Sequence, residues 1–287
     1  MRGGLEVCSA RRDGVQDNLI GDPRSLVSDG IPMRTHYLRI LLCAAGIMSS
    51  VTACILAADA PKRLLLIAGN PDGHPPQTHE YVAGLKILHE LLQERKDVSL
   101  RTVIADDIWA DGPELLDGSD GIVLFRSEGA KWCSAEESRW KALQRLAERR
   151  GGFTVLHWGM GTRTAEPVAN FTALFGLCHG GPDRQYRVLE TKLTPVGEHP
   201  ITRGISPITI RDEFYFALKQ PAVKPAPQPL LQIDIDGQPQ SVSWAWDRPD
   251  DGRSFGFSGL HFHEHWQRPE YRTLVKQGVL WTLQIGD

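Results

Sequence analysis

Three histidines stand at alternate positions near the end of the chain, in the segment GFSGLHFHEHWQRPEY that covers residues 256–271. They are His261, His263 and His265, and Glu264 lies among them. Alternate residues of an extended strand point to one side, whereas the same residues in a loop point in different directions. The spacing is therefore compatible with metal ligands, with acid/base catalysts or with an ordinary polar loop, and other elements must decide.

Further histidines follow apolar runs elsewhere in the chain. His157 ends the run FTVLHW, and His74 and His79 follow the run KRLLLIAG. Two or three neutral imidazoles with a carboxylate would suit a divalent transition metal such as zinc. His157, His261 and His263 are the candidate ligands. Imidazoles also act as general acids and bases near neutral pH, so both kinds of chemistry stay open.

Four short segments predict parallel strands that would position these histidines, and the first and the fourth are apolar runs typical of buried strands. The predicted strands cover 62–69, 98–105, 120–125 and 153–159. A helix capped by Thr78 is predicted after the first strand, because apolar residues from Val82 to Leu92 recur at helical spacing. A second helix opens with Ser134 and Glu137 in capping-box spacing and stops at Gly151.

Beyond about residue 180 the pattern changes to shorter segments of alternating polarity. They predict an antiparallel extension of the same sheet, closed by a helix over 269–283, with the proline-rich stretch 219–229 as a surface loop. Alternating strands and helices predict an α/β fold, a doubly wound, flavodoxin-like, mostly parallel sheet flanked by helices. Ligands of such sheets bind at the carboxyl ends of the strands, which is where His157 and His261 lie.

The first 58 residues differ in composition from the rest. Residues 1–32 are polar and irregular, which predicts a non-native or disordered extension, and residues 40–58 carry no charge and follow Arg34 and Arg39. This pattern predicts a signal peptide or membrane anchor over 33–58, with translation starting at Met1 or Met33. The sequence VTAC also resembles a lipoprotein box that would lipidate Cys54. We therefore expect a periplasmic, secreted or membrane-anchored protein with one folded domain over 62–285.

Composition excludes several partners and cofactors. The formal net charge of −3 and the absence of a basic run argue against nucleic acid. No G-x-G-x-x-G loop follows the first strand, so no nucleotide cofactor is expected. Cys133 and Cys178 are the only cysteines after the leader, and they form neither a disulfide framework nor a C-x-x-C zinc motif.

In this order, several motifs resemble the ThuA-like family, named for trehalose utilisation and built on the class I glutamine amidotransferase-like fold. They are GHPPQTHE, GGFTVLHWG, HPITRGI, RDEFY, GRSFGFSGLHFHEHW and LWTL, and the resemblance covers roughly residues 62–284. Amidotransferases of this fold place a cysteine nucleophile at a sharp turn after a buried strand. His157 stands at that position here, so the usual acyl-enzyme route is unavailable. A nucleophilic Cys178 beside His179 is an alternative, although adjacent side chains rarely point at one another.

The resemblance implies a protein of carbohydrate utilisation, acting on trehalose or a related keto-disaccharide. Hydrolysis or isomerisation by histidine-based or metal-assisted chemistry is one hypothesis, and a non-catalytic sugar-binding or interaction domain is the other. The predicted catalytic residues are His157, His261, Glu213 and His79. The predicted substrate-binding residues are Trp158, Asp212, Tyr215, His263 and Trp266. The substrate, the reaction and the oligomeric state stay open at this point.

Overall fold

A mixed sheet forms the centre of the protein in a computed structural model that describes residues 60–286. In chain order its strands are β1 (Lys62–Gly69), β2 (Val98–Ala105), β3 (Gly121–Phe125), β4 (Gly152–Leu156), β7 (Gln185–Pro195), β8 (Ile208–Phe216), β9 (Gln228–Ile235), β10 (Gln238–Asp247) and β11 (Arg253–Phe257). Two further short strands, β5 (Gly161–Thr162) and β6 (His179–Gly180), pair only with each other.

The strand order of the sheet is β2-β1-β3-β4-β11-β10-β9-β7-β8. The first five strands in this order are mutually parallel, and antiparallel pairs join β11 to β10 and the strands beyond. The chain moves outward from β1 to β2 and then returns to β3 on the other side. Such a reversal leaves a crevice at the carboxyl ends of the strands, where open α/β sheets bind ligands.

Helices cover both faces of the sheet. They are α1 (Tyr81–Leu92), α2 (Gly112–Asp117), α3 (Gly129–Ala135), α4 (Glu137–Glu148), α5 (Val168–Phe175) and α6 (Pro269–Thr282). Alternate residues of β1 divide between two apolar cores: Leu64 and Leu66 pack with α1 and α6, and Leu65 and Ile67 pack with α2 to α5. Because β1 is buried on both faces, its sequence is a nearly continuous apolar run.

The predicted parallel strands and the closing helix are confirmed. Strand β11 was predicted within the antiparallel extension, but it pairs in parallel with β4 and only its other neighbour, β10, is antiparallel to it. Two predicted helix starts are wrong. Helix α1 begins at Tyr81 after Glu80, while Thr78 pairs with Phe262 in a β-bridge instead of capping the helix. Ser134 lies within α3, a separate short helix, and its hydroxyl contacts a carbonyl of that same helix. A capping box requires an extended residue at the serine position, and here the extended residue is Glu136.

The predicted strand 153–159 also ends earlier than expected. Strand β4 stops at Leu156, and residues His157–Met160 form a turn of 3₁₀ helix. The predicted signal or anchor segment, including Cys54, lies outside the described residues. Among residues 60–286, no helix is both long enough and apolar enough to cross a membrane.

Candidate functional site

His157 occupies a sharp turn directly after strand β4. Its φ of +44° lies in the left-handed region, which side chains with a Cβ rarely adopt. The ring is fully buried, and Nδ1 donates to the carbonyl oxygen of Ser258 at 2.7 Å. Strain of this kind clusters at functional sites. The turn therefore fixes the ring so that Nε2 faces the carboxyl edge of the sheet.

His79 reaches the same edge from the loop that follows β1. It too has a positive φ, of +52°, and its backbone N–H donates to the carbonyl oxygen of His261 at 3.1 Å. Its Nδ1 donates to Oδ2 of Asp72 at 2.9 Å, and the hydroxyl of Tyr81 donates to that same oxygen at 2.6 Å. The Asp72 carboxylate thus orients the ring and leaves Nε2 free of a proton.

His261 comes from the loop after β11, which is anchored by a buried carboxylate. Leu260 has a φ of +77°, and its N–H donates to Oδ2 of Asp212 at 2.8 Å. The Asp212 side chain is completely buried and also accepts a hydrogen bond from the hydroxyl of Tyr271 at 3.1 Å. Strand β8, which carries Asp212, therefore holds the loop that presents His261.

Three imidazole nitrogens converge at this point. Nε2 of His157 lies 3.0 Å from Nε2 of His79 and 3.2 Å from Nδ1 of His261, and the last two atoms are 3.1 Å apart. Zinc–nitrogen bonds of about 2.0–2.1 Å in a tetrahedral site place neighbouring nitrogens about 3.3 Å apart. The triangle of nitrogens is therefore within a few tenths of an ångström of the size that a zinc ion requires.

In His157 and His79, the hydrogen bond of the second ring nitrogen fixes which nitrogen carries the proton. The Nδ1 protons of His157 and His79 are used by the Ser258 carbonyl and the Asp72 carboxylate. Their Nε2 atoms then carry lone pairs that face each other, and a shared cation relieves the repulsion between them. Metal-binding histidines typically show this pattern, in which the second nitrogen donates to a carboxylate or carbonyl.

The imidazoles are in a state suited to binding a cation. Burial lowers the pKa of His157 well below its usual range, and positive charge on His79 and His261 would lower it further. Burial also lowers the pKa of His261, to about 4, and lowers that of His79 against the opposing effect of Asp72. The three rings are therefore neutral near pH 7, as ligands must be.

Glu213 and Tyr215 bring polar groups of strand β8 to the same point. Oε1 of Glu213 lies 3.8 Å from Nε2 of His157 and 3.6 Å from Nδ1 of His261, and the hydroxyl of Tyr215 lies 3.0 Å from Nε2 of His157. Burial raises the pKa of Glu213 to about 7. A carboxyl group with that pKa can both give and take a proton near neutral pH.

A cavity of about 180 Å³ opens onto this cluster. One wall carries the cluster residues His79, Glu213 and His261. The remaining lining is aromatic and basic: His74, Trp158, Arg163, His179, Arg184, Tyr186 and Tyr215. The arrangement suits a small polar ligand that approaches a metal-competent centre and packs against aromatic rings.

Several predicted site residues lie elsewhere. Asp212 is buried and does not line the cavity; its Oδ2 accepts hydrogen bonds from the backbone N–H of Leu260 and the hydroxyl of Tyr271. Trp266 is a core residue with a nearly inaccessible side chain. His263 lies outside both the cavity lining and the metal-competent group of His79, His157, Glu213 and His261, because it begins the 3₁₀ turn His263–Gln267. The geometry does not support these three as substrate contacts, nor His263 as a ligand.

The alternative thiol nucleophile is also remote from the cavity. Cys178 is fully buried, its Sγ donates to the carbonyl oxygen of Met160 at 3.2 Å, and it is absent from the cavity lining. Burial raises the pKa of the Cys178 thiol far above its usual range. Cys178 and Cys133 are both unpaired with any other cysteine of the described residues.

Sequence reasoning missed part of the site. Asp72 orients His79, and His179, Arg184 and Tyr186 line the cavity, but none was among the predicted site residues. Asp72 could have been found from its position after the first parallel strand, where ligand-binding residues concentrate. The other three belong to a segment whose return to the cavity has no local signal in the sequence.

The family model ThuA, described as trehalose utilisation, matches residues 67–282. A ThuA-like protein from Bacteroides uniformis aligns with a TM-score of 0.59 and 14% identity, over 79% of this chain and 94% of that chain. At that identity the likeness shows the fold alone.

Two other solved structures align less closely. The β-galactosidase of Bacillus circulans sp. alkalophilus has a TM-score of 0.48 and 10% identity, over 79% of this chain and 31% of that chain. The glutaminase domain of Trypanosoma brucei CTPS has a TM-score of 0.46 and 11% identity, over 79% of this chain and 95% of that chain. No curated protein matches the chain.

Proposed function

The chain belongs to the ThuA family of trehalose utilisation, and we propose that it is an enzyme that uses a divalent metal ion to act on a sugar. The proposed reaction is hydrolysis or isomerisation of trehalose or a related keto-disaccharide, outside the cytoplasm. The observation that carries the proposal is the convergence of three neutral imidazoles, with Nε2 of His157, Nε2 of His79 and Nδ1 of His261 only 3.0–3.2 Å apart.

The proposed roles follow from the contacts of each residue. His79, His157 and His261 would hold a divalent metal ion, and such an ion would supply Lewis-acid polarisation of an oxygen atom. Glu213 transfers protons at the reacting centre, because its carboxyl pKa of about 7 lies where both protonation states are populated. Asp72 fixes the tautomer of His79 and strengthens it as a ligand.

The sugar would pack against the aromatic wall of the cavity. Trp158 lies on that wall next to the cluster, and Gly161 allows the indole to rest on the backbone, since a Cβ at Gly161 would come within 1.9 Å of the ring. Aromatic faces pack on the apolar face of a sugar ring while polar groups bind its hydroxyls. The size of the cavity suits one sugar ring, with the rest of a disaccharide outside it.

The experiment is metal analysis of the full chain, purified in mild detergent and reconstituted with zinc. We expect one zinc per chain in the wild type, and loss of zinc in His157→Ala. His89→Ala is the matched control, because His89 lies on α1 and contacts Thr102 instead of the cluster. Wild-type protein that fails to take up zinc, cobalt or manganese would contradict the proposal.

A non-catalytic sugar-binding domain is the second candidate, and one observation favours it. The turn that carries a nucleophile in amidotransferases of this fold carries His157 here, which offers neither a hydroxyl nor a thiol. The two candidates differ in turnover: incubation of the zinc-loaded chain with trehalose and with keto-trehalose should release products if the protein is an enzyme. Binding of these sugars with no product from either one would favour the second candidate.

Alkylation tests a thiol-dependent peptidase or amidase. Cys178 and Cys133 are buried, and burial raises the pKa of the Cys133 thiol to about 12. Thiolates are the reactive species, so we expect iodoacetamide to label neither thiol until the protein is unfolded. Rapid labelling of Cys178 in the native chain, with loss of activity, would support the thiol mechanism.

A further inference from the structure

Two arginines flank Trp158 on the aromatic wall of the cavity. The guanidinium carbons of Arg163 and Arg184 lie 5.6 Å and 5.9 Å from the centre of the indole ring. Arg163 forms an ion pair with Glu128. Both arginines line the same cavity as the histidine cluster, so their charge acts on whatever binds there.

The charge of Arg184 has no carboxylate partner within the described part of the chain. Its guanidinium donates to the carbonyl oxygen of Gly181 at 3.3 Å, and the neighbouring Asp183 is paired with Lys219. Glu213 is the only carboxylate among the cavity-lining residues, and it belongs to the group of His79, His157 and His261 and forms no ion pair with Arg184. This wall of the cavity is therefore positive without any bound metal, and more so with one.

His179 supplies a second, independent observation on the same wall. Its ring is 2% exposed and stacks on Tyr215, with ring centres 3.9 Å apart. Its Nδ1 has no hydrogen-bond partner among residues 60–286, although a buried polar atom normally has one. Burial lowers the pKa of His179 to about 3, with a smaller contribution from Arg184, so the ring is neutral. A neutral imidazole can donate a hydrogen bond to an oxygen of a ligand. Because it carries no charge, it does not supply the negative charge that Arg184 lacks.

We infer that the substrate is a sugar that carries an anionic oxygen group, a carboxylate or a phosphate, which binds Arg184 while the sugar ring packs against Trp158. The inference rests on the proposed function, since it names the substrate class of the same cavity. A guanidinium presents its N–H groups in a planar fork that matches carboxylate and phosphate oxygens. The anionic group would supply the counter-charge that Arg184 lacks.

The test compares glucose, glucuronate and glucose 6-phosphate as ligands of the zinc-loaded full chain, by isothermal titration calorimetry at constant ionic strength. We expect at least one anionic sugar to bind about tenfold more tightly than glucose or better, a difference typical of a charge-assisted hydrogen bond. The tighter of the two shows whether the group is a carboxylate or a phosphate. Arg184→Gln should remove the preference, and Arg187→Gln, an exposed arginine paired with Asp236, should keep it.

The outcomes separate this inference from the proposed function. Equal affinity for all three sugars would overturn the inference, and so would a preference that survives Arg184→Gln, because the metal would then be holding the anion. Zinc content, measured on the same samples, reports on the proposed function alone. A chain without zinc that still shows an Arg184-dependent preference would refute the metal proposal and support the anionic ligand.

Discussion

The two halves of the sheet build the site in different ways. The parallel half contributes His79 and His157, which follow β1 and β4 at one edge, as parallel strands dictate. The antiparallel half contributes Glu213 and Tyr215 from β8, a strand that four others separate from β4 in the strand order. The Tyr215 hydroxyl nevertheless lies 3.0 Å from Nε2 of His157. The antiparallel half must therefore curl back over the parallel edge, so the site depends on tertiary packing as well as on strand order.

The largest expected effect comes from a change in the antiparallel half. Glu213→Gln removes the carboxyl group proposed to transfer protons but leaves the three imidazoles, so we expect turnover of a sugar substrate to fall by about 10²–10⁴-fold with zinc content unchanged. The measurements are steady-state kinetics and metal analysis. Glu190→Gln, on the exposed part of β7, is the control that should leave both unchanged. Loss of zinc from Glu213→Gln would instead assign Glu213 as a fourth ligand.

A change in the parallel half should lower the affinity for the proposed metal ion. Asp72→Asn weakens the acceptor that orients Nδ1 of His79, and the loss of such a partner typically lowers metal affinity about 10–100-fold. Competition with a chelator measures the zinc dissociation constant. Asp236→Asn removes an exposed carboxylate that pairs with Arg187 and belongs neither to the cluster nor to the cavity lining, so it should leave the constant unchanged. If Asp72→Asn bound zinc as tightly as the wild type, the loop would position His79 without help from the carboxylate.

The hydrogen bonds that Asp212 of β8 accepts should contribute measurably to the free energy of unfolding. Asp212→Asn weakens the hydrogen bonds that Leu260 and Tyr271 donate to a buried charge, so we expect the free energy of unfolding to fall by about 2 kcal/mol. Tyr271→Phe removes only one of these bonds and should cost about 1 kcal/mol. Urea denaturation of both variants tests this. A larger loss in Tyr271→Phe would show that packing, not the carboxylate, holds the His261 loop.

The smallest expected effect lies in the segment with alternating histidines. His263→Ala should leave zinc content unchanged, because His263 begins a 3₁₀ turn and points outside the metal-competent group. His261→Ala should remove the zinc. Metal analysis of the pair compares two histidines only two residues apart. Similar loss of zinc in both would restore the interpretation of the segment as an H-x-H ligand motif.

The sequence predicted the parallel half well and the antiparallel half only in part. The apolar runs located β1, β3 and β4, because strands buried on both faces are continuously hydrophobic. Strand β2 was also predicted, although it lies at the edge of the sheet and most of its residues are at least partly exposed. His157 and His261 were predicted at one edge because both follow strands of the same sheet, and they do meet there, since β11 is parallel to β4. Helix starts were less accurate, since Thr78 and Ser134 have the residue types of caps but not the backbone conformations.

The residues that the sequence could not assign depend on contacts between distant segments. Asp212 and Glu213 are adjacent, and one is a buried anchor while the other faces the cavity, because successive residues of β8 point to opposite sides. Which side faces the site depends on the curl of the sheet. Arg184 likewise reaches the cavity only because the segment before β7 returns beside Trp158.

X-ray absorption spectroscopy of the zinc-loaded full chain tests the central claim most directly, because it reports the atoms bound to the metal. The geometry predicts a shell with three imidazole nitrogens at about 2.0–2.1 Å, and two imidazoles in His79→Ala if that variant retains zinc. A shell made only of oxygen atoms, or one unchanged by the loss of His79, would contradict the assignment of His79, His157 and His261 as the metal ligands.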